Sequence, residues 1–282
     1  MEEHLVLCSD RNHFLHFLYE NAFGRFLLKG FVRPSFSVFC GKILDSSLSV
    51  YFIPSFIRRN RINMQEYEVK KYASFNDFFT RKILPDLRPV DPDPSHLIAP
   101  CDGLLSIHRL SGTSVVPVKR SHYTIDELLK NEALAADYKD GFCLVFRLCV
   151  NHYHRYCYAD SGTKGDNFFI SGMLHTVRPV ALNAFPVFVQ NSREYTVIET
   201  ASFGSVVQME VGALMVGKIE NYHRAGSVRR GQEKGRFLYG GSTVILLLKE
   251  NTAVFPDWAI KASENGYEIP VRMGESVGRK IM

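Results

Sequence analysis

Apolar positions between residues 11 and 59 recur every three or four residues, which is the spacing of one face of an amphipathic helix. The positions in this pattern are Phe14, Phe17, Leu18, Phe23, Phe26, Leu27 and Phe31. Pro34 and Pro54 divide the segment, and proline is tolerated at the start of a helix but not in its interior. The pattern predicts several short helices, and periodicity alone favours helices that pack on their own core.

A proline-rich stretch at 88–95 separates this region from the rest of the chain. It holds three prolines in eight residues, which excludes a helix and predicts an extended connector. Just before it, Ser74 is followed three residues later by Asp77, a variant of the capping box that predicts the start of a short helix. We therefore expect an N-terminal helical region of residues 1–87 and a β-rich domain of residues 88–282.

Beyond residue 95 the pattern changes to short apolar runs bounded by Gly, Pro or Asn, which is typical of strands. The predicted strands are 142–150, 172–177, 194–200, 206–219 and 242–248. One helix interrupts them, because Thr124 and Glu127 form a capping box in front of an apolar run. The fold class we expect is α+β, with a mostly antiparallel, barrel-sandwich-like β core.

Composition excludes several classes of protein. The chain has 282 residues, of which 46% are hydrophobic, and a formal net charge of +5, so it is not a disordered or low-complexity chain. The longest run without a charged residue, 179–192, is too short to cross a bilayer. Glu2 and Glu3 stand where a secretory signal would place positive charge, so we expect a cytosolic protein.

Cysteine spacing and glycine motifs narrow the chemistry further. The six cysteines form no C-x-x-C pair, which is typical of reduced thiols and predicts neither disulfides nor a metal site. Neither G-x-G-x-x-G nor the P-loop motif occurs. We expect no nucleotide-binding loop and no nucleic acid partner.

The positive charge is concentrated in the N-terminal helical region. Residues 11–59 contain nine phenylalanines and seven Lys or Arg but only two acids, Glu20 and Asp45, so this segment alone carries +5. A basic, Phe-rich amphipathic segment suits a protein that lies on an anionic membrane surface, because apolar burial and attraction to phosphate add.

The segment with the most specific chemistry is 231–248, where a turn leads through Gly-Gly-Ser-Thr at 240–243 into an apolar strand. Two glycines allow backbone conformations that would leave the Gly241 carbonyl within reach of the Ser242 hydroxyl. Judged as a string of four residues alone, a glycine hairpin turn is the favoured explanation of the segment.

The surrounding residues decide between these interpretations, because the stretch resembles the C-terminal end of phosphatidylserine decarboxylase proenzymes, whose Gly-Ser-Thr motif is the site of self-cleavage. Further blocks resemble that family in the same order along the chain. These blocks are 74–81, 99–103, 146–155, 191–193 and 211–219. The resemblance covers nearly the entire chain and is therefore far more specific than any one motif.

The resemblance implies a pyruvoyl enzyme. The proenzyme would cut itself between Gly241 and Ser242 into a β chain of residues 1–241 and an α chain of residues 242–282, and Ser242 would become a covalently bound pyruvoyl group. The implied reaction is decarboxylation of phosphatidylserine to phosphatidylethanolamine plus CO2, because a ketone that has condensed with the substrate amine accepts the electron pair that CO2 leaves behind. Neither pyridoxal phosphate nor a metal is implied, and Lys218 has no phosphate-binding cradle around it.

The resemblance also implies the catalytic residues Ser242, His154 and Asp102. His154 would protonate the former α-carbon, since imidazole titrates near neutral pH, and Asp102 and Ser242 match the family's Asp-His-Ser relay for self-cleavage. The family's relay histidine commonly lies three residues after the Tyr-His-Arg histidine, where this chain has Cys157. Either His154 serves both steps, or His175 reaches the site, or Cys157 takes part, and we favour His154.

Four further residues are weaker candidates for the site. His152 lies two residues before His154, so a strand would place both rings on one face. Arg147, Arg155 and Arg193 are candidates for binding a substrate carboxylate or phosphodiester, because a guanidinium offers paired donors to planar anions. Ordinary salt bridges are the alternative for all three.

The resemblance implies a peripheral protein on the cytoplasmic side of a membrane, the cell membrane if bacterial, that acts on phosphatidylserine. It also implies a heterodimer of the α and β chains, with further dimerisation expected from the family alone. Two alternatives are a pyruvoyl-dependent decarboxylase of a soluble amino acid and a non-processing, lipid-binding relative, which Cys157 would favour. A serine hydrolase is disfavoured because no G-x-S-x-G elbow occurs.

Overall fold

A computed structural model describes most of the chain. The described residues are 5–7, 12–110, 115–118, 121–214, 218–238, 240 and 242–281, with the side chains of 115–118 and 121–122 excepted.

Helices gather in the N-terminal region, as the pattern predicted. The α-helices are α1 His13–Glu20, α2 Ala22–Phe31, α3 Pro34–Asp45, α4 Ile53–Asn60, α5 Phe75–Phe79, α6 Ile125–Leu129, α7 Glu132–Ala136, α8 Pro179–Leu182, α9 Val187–Gln190 and α10 Asp257–Glu264. Single 3-10 turns occur at Ser47–Phe52, Met64–Glu66 and Pro85–Leu87.

One asparagine joins the first two helices. Asn21 ends α1, and its side chain accepts hydrogen bonds from the amides of Phe23 and Gly24 at the start of α2. The two helices approach so closely that a Cβ at Gly24 would lie 2.0 Å from the carbonyl oxygen of Phe17. This glycine is therefore required by the contact between α1 and α2.

The N-terminal helices expose a large apolar surface. Phe14 is 60% exposed, whereas Leu18 is 1% exposed and packs into the protein, so the positions that we assigned to one helix face are divided between core and solvent. The exposed large apolar residues of this region are Phe14, Phe17, Phe23, Phe26, Leu27, Val38, Phe39, Ile43, Leu48, Tyr51 and Phe52. We call these residues the apolar N-terminal surface.

No single helix in the described part of the chain has the length and composition to span a membrane. Pro34–Asp45 and Ser47–Asn60 satisfy both criteria when taken together, but they are bent by 84° where they meet.

Strands predominate beyond the N-terminal region. They are β1 Val6–Leu7, β2 His96–Ile98, β3 Gly103–Arg109, β4 Val115–Val118, β5 Ser121–Thr124, β6 Phe142–Leu148, β7 Arg155–Cys157, β8 Gly162–Lys164, β9 Phe168–Ile170, β10 Arg193–Thr200, β11 Gly204–Val211, β12 Lys218–Asn221, β13 Gly226–Val228, β14 Glu233–Leu238, β15 Ser242–Leu248, β16 Ala253–Val254, β17 Tyr267–Val271 and β18 Ser276–Lys280.

The main sheet has the strand order β1-β17-β3-β6-β15-β11-β10-β8-β13, with β9 also paired to β10. Its described pairings are all antiparallel, and the order does not close into a barrel. Three smaller sheets, β12-β14-β7, β16-β18-β2 and β4-β5, accompany it. The predicted α+β class with a mostly antiparallel core is confirmed.

The main sheet separates two hydrophobic cores. On the central strand β15, Ile245 and Leu247 belong to the first core, and Val244 and Leu246 belong to the second, which also contains residues of β7 and β14. Because side chains alternate along a strand, Ser242 faces the same side as Val244. The first residue of β15 therefore points toward the small sheet β12-β14-β7.

Two predicted strands differ from the structure. Residues 172–177 form no strand beyond a single bridge at Met173, because the Asn191 side chain bonds both the amide and the carbonyl of His175 and so occupies the groups that a sheet partner would need. The predicted strand 206–219 ends at Val211 and is followed by the separate strand β12.

Candidate active site

Ser242 begins the central strand and is completely buried. It lies opposite Leu148 of β6, and its Oγ has no hydrogen-bond partner among the described residues. Gly240 has a φ of 123°, a backbone conformation that favours glycine. Gly241, the predicted cleavage residue, lies outside the described residues.

His154 lies beside the connection that leads to Ser242. Its carbonyl oxygen accepts a hydrogen bond of 3.0 Å from the amide of Phe237 on β14, and β14 ends at Leu238, two residues before Gly240. The imidazole is buried, and its ring centroid lies 4.3 Å from that of Phe79. The Gly240 backbone is close enough to favour the protonated form of the ring.

The hydrogen bonds of His154 define its tautomer. Nδ1 lies 2.9 Å from the carbonyl oxygen of His152, and since a carbonyl only accepts, Nδ1 carries the proton and Nε2 carries a free lone pair. Burial lowers the pKa of His154 to about 3, and the charge of Arg81 acts in the same direction. At neutral pH the side chain is therefore a neutral imidazole whose Nε2 is unprotonated.

Three buried polar atoms near Gly240 have no hydrogen-bond partner within the described ranges: Ser242 Oγ, Thr243 Oγ1 and His154 Nε2. Buried polar groups are nearly always paired in folded proteins, and exceptions often mark functional sites. A hydroxyl and an unprotonated imidazole form the nucleophile and base of covalent catalysis.

Asp102 is held by an arginine that the sequence analysis did not single out. Its Oδ1 and Oδ2 accept hydrogen bonds of 2.7 and 2.6 Å from Arg88, and Oδ1 also accepts one from the amide of Met273. The Nδ1 of His154, by contrast, bonds a backbone carbonyl. Burial lowers the pKa of His152 to about 4, and the Asp102 charge partly opposes this effect. The charge of Asp102 therefore raises the pKa of the neighbouring His152. The role of Asp102 in the self-cleavage relay stays a prediction.

Asp102 and His152 border a polar cavity of about 340 Å³, whose wall also includes Arg61, Glu66 and Gly103. Gly103 begins β3, two strands from β15 in the sheet order. The cavity is therefore a polar space near the end of the sheet where Ser242 lies.

The other two candidates for the relay have different surroundings. Burial raises the pKa of the Cys157 thiol to about 12, so it stays protonated and is a poor base. His175 bonds the hydroxyl of Tyr19 through Nδ1 and stacks on Phe185. These environments favour His154 as the base.

The three candidate arginines bind groups within the protein. Arg147 makes a bidentate pair with Glu268 at 2.8 and 2.5 Å, and Arg155 pairs with Glu233 at 2.6 Å. Arg193 donates to backbone carbonyl oxygens at 2.7 to 3.0 Å, and burial lowers its pKa to about 10. Their binding of substrate stays a prediction, because all three guanidinium groups already have partners.

The chain was compared with known proteins. The family model described as phosphatidylserine decarboxylase matches residues 75–279. The chain is 43% identical over 269 residues to phosphatidylserine decarboxylase proenzyme 2 of Clostridium acetobutylicum, with 95% of this chain and 92% of that protein covered. It is 40% identical over 273 residues to a phosphatidylserine decarboxylase proenzyme of Clostridium botulinum strain Langeland, with coverage of 95% and 92%. A proenzyme of the same name from Clostridium botulinum strain Alaska E43 is 36% identical over 275 residues, with coverage of 95% and 93%.

Proposed function

Because this chain belongs to the phosphatidylserine decarboxylase family, we propose that it matures by cutting itself between Gly241 and Ser242 and that Ser242 becomes a pyruvoyl group. The chain is an enzyme that decarboxylates phosphatidylserine to phosphatidylethanolamine, and it is made as a proenzyme. The observation that carries the proposal is the pair of unpartnered buried atoms, Ser242 Oγ and His154 Nε2.

Self-cleavage begins with the hydroxyl of Ser242. His154 Nε2 accepts the hydroxyl proton while Oγ attacks the Gly241 carbonyl carbon, so that a carbon–oxygen bond forms. The peptide carbon–nitrogen bond then breaks, and the nitrogen of residue 242 takes the proton back from His154. The two parts of the chain are now joined by an ester.

The ester is resolved by elimination. Loss of the α-proton of residue 242 breaks its Cβ–Oγ bond, which releases the Gly241 carboxylate and leaves dehydroalanine. Tautomerisation gives an imine, and water hydrolyses it to a ketone with release of ammonia. The oxygen of the ketone thus comes from water, and no oxidant is consumed.

Residue 242 and its surroundings fit such a group, since the position is buried at a strand end and the neutral imidazole of His154 interacts with the backbone of Gly240, two residues before it. The pyruvoyl ketone supplies a carbonyl that binds the substrate amine and accepts the electron pair left by CO2. The substrate amine attacks in its unprotonated form, and the neutral His154 Nε2 accepts the proton that the nitrogen loses as it bonds to the ketone. The same nitrogen then returns a proton to the former α-carbon, while burial excludes water from the site.

The two chains are held together after the cut by the main sheet. Residues 242–282 would form the α chain, and its first strand, β15, pairs with β6 on one side and β11 on the other. This central position supports a stable heterodimer of the α and β chains. The functional division into a membrane-associated part at 1–87 and a catalytic part at 88–282 belongs to the same proposal.

The intact mass of freshly purified protein under denaturing conditions tests the proposal. We expect two chains, 1–241 and 242–282, with the smaller one lighter by the mass of ammonia than a peptide that begins with serine. A single full-length chain that never matures would instead support the non-processing relative.

We also propose that the apolar N-terminal surface rests on the membrane that contains the substrate. Phe26 on α2 is 69% exposed, and burying one such side chain in lipid contributes about 1.5–3 kcal/mol. Phe26→Ser is therefore expected to weaken binding to phosphatidylserine vesicles by about tenfold or more, measured by vesicle sedimentation. Phe169→Ser is the matched control, since Phe169 on β9 is 63% exposed outside this surface. Equal losses in both variants would contradict the assignment of the surface.

A further inference from the structure

A lysine and a glutamate form an ion pair inside the second core. Lys234 of β14 and Glu210 of β11 are both 0% exposed, and Nζ lies 2.5 Å from Oε2. Asn221 of β12 bridges them, accepting from Lys234 at 2.8 Å and donating to Glu210 at 3.2 Å. Buried ion pairs contribute little to stability compared with apolar residues of the same volume, so this pair calls for another explanation.

Lys234 is the extra residue of a β-bulge. Along the pairing of β14 with β7, Glu233 lies opposite Cys157 and Gly235 lies opposite Tyr156, so two adjacent partners on β7 face three residues on β14. A bulge redirects the side chain of its extra residue. Here it turns Lys234 toward Glu210 on the main sheet.

The bulge sets the register of everything that follows it on β14. Beyond it, Phe237 is buried in the second core and its amide bonds the His154 carbonyl. Without the bulge, β14 would shift by one residue, about 3.3 Å, and its side chains would exchange faces. Phe237 would leave the core, and the connection from Gly240 to Ser242 would move relative to His154.

Several polar residues surround Glu210, the acidic partner of Lys234. Gln208, two residues before Glu210 on β11, donates to the Cys157 carbonyl at 2.9 Å and lies 3.5 Å from Glu210 Oε1. Asn221 also donates to Glu194 at 2.8 Å. The buried Lys164 contributes a second positive charge to this cluster. The cluster therefore ties the main sheet to both β7 and β14.

We propose that Lys234 and Glu210 are a positioning pair for self-cleavage. The ion pair keeps Lys234 turned inward, which selects the bulged register of β14 and holds Gly240, next to the cleavage bond, near His154. Neither residue contacts the reacting atoms in this role. The inference rests on the proposed self-cleavage at Ser242.

The double variant Lys234→Met with Glu210→Gln tests the pair, because it removes both charges while nearly keeping the volumes. We expect its thermal midpoint, measured in the uncut Ser242→Ala background, to stay close to that of the parent. With Ser242 present, we expect the α chain to appear at least tenfold more slowly in a time course after cell-free synthesis. Cleavage at the parental rate would overturn the proposal and leave the pair a purely structural role.

A second readout reports the register itself. In the Ser242→Ala background, amide hydrogen exchange of Phe237 is slow while its bond to His154 exists, and we expect it to accelerate in the double variant. Unchanged protection of this amide would overturn the proposal. Should the double variant lack a cooperative transition, Lys234→Gln with Glu210→Gln, which also removes both charges but keeps polar side chains at both positions, is judged by the same cleavage and exchange criteria.

The matched control is Lys249→Met with Asp137→Asn, which removes another lysine–carboxylate pair, 2.8 Å apart and partly exposed just beyond β15. We expect this control to cleave at the parental rate, and an equal slowing would overturn the role of the buried pair. Failure of the parent itself to cleave would instead contradict the proposed function, which separates the two failures.

Discussion

Replacing Ser242 by alanine is expected to leave one uncut chain of 282 residues without measurable decarboxylation. Alanine has no Oγ, so no ester forms at Gly241 and no pyruvoyl group is generated. The loss is complete because every later step requires that ketone. Intact mass and release of CO2 from phosphatidylserine vesicles measure the two effects on the same sample.

The matched control for this substitution is Ser205→Ala. Ser205 also lies on the main sheet, but it pairs with Glu199 near the end of the sheet remote from Ser242, and its Oγ bonds the hydroxyl of Tyr138. We expect normal cleavage and turnover in this variant. Decarboxylation by an uncut Ser242→Ala chain would contradict the pyruvoyl mechanism.

Replacing His154 by glutamine is expected to slow self-cleavage by about 10²- to 10⁴-fold, the usual contribution of a general base. The amide nearly keeps the size of the ring but cannot accept the hydroxyl proton of Ser242. Decarboxylation per cleaved chain should fall as well, because the same nitrogen returns the proton to the substrate. A time course of α-chain formation measures the first effect, and single-turnover CO2 release measures the second.

His108→Gln is the control for His154, since His108 is also buried and burial lowers its pKa to about 4. It lies on β3 opposite Cys143, towards the end of the sheet remote from Ser242. We expect cleavage at the parental rate in this control. Rapid cleavage by His154→Gln would shift the role of base to His175 or another group.

These two histidines also make stability depend on pH, with a definite sign. Their pKa values are about 3 and about 4 in the folded protein and about 6.5 when unfolded, so the unfolded chain binds protons first. Their contribution to the free energy of unfolding is fully present above about pH 6.5, and it is lost as the pH falls toward their pKa values in the folded protein. Both substitutions should flatten the decline of the unfolding free energy below pH 6.5 in the Ser242→Ala background. With Ser242 present, only His154→Gln should slow cleavage.

Local signals in the sequence predicted local structure well. Ser74 caps α5, Thr124 and Glu127 form the expected capping box, and β15 spans the residues predicted for it. A cap depends on a hydrogen bond between residues three apart, and a buried strand shows itself as an unbroken apolar run. Such features are encoded within a few residues.

Signals of longer range were less reliable. Periodicity identified the N-terminal helices but placed Phe14 and Leu18 on one face, whereas one is exposed and the other is buried. A short apolar run predicted a strand at 172–177, but the Asn191 side chain bonds the backbone amide and carbonyl of His175 instead. A sequence pattern shows which residues are apolar, but the tertiary fold determines which of them are buried and which backbone groups pair in a sheet.

The sequence by itself determined the family, the Gly-Ser-Thr segment and the candidate nucleophile and base, because these depend on residue identity and order. The tertiary structure decided that Asp102 binds Arg88, and that Lys234 turns inward from a bulge to meet Glu210. Those partners come from different elements of the chain. Only tertiary packing brings such groups together, and burial then strengthens each contact and lowers the pKa of His154.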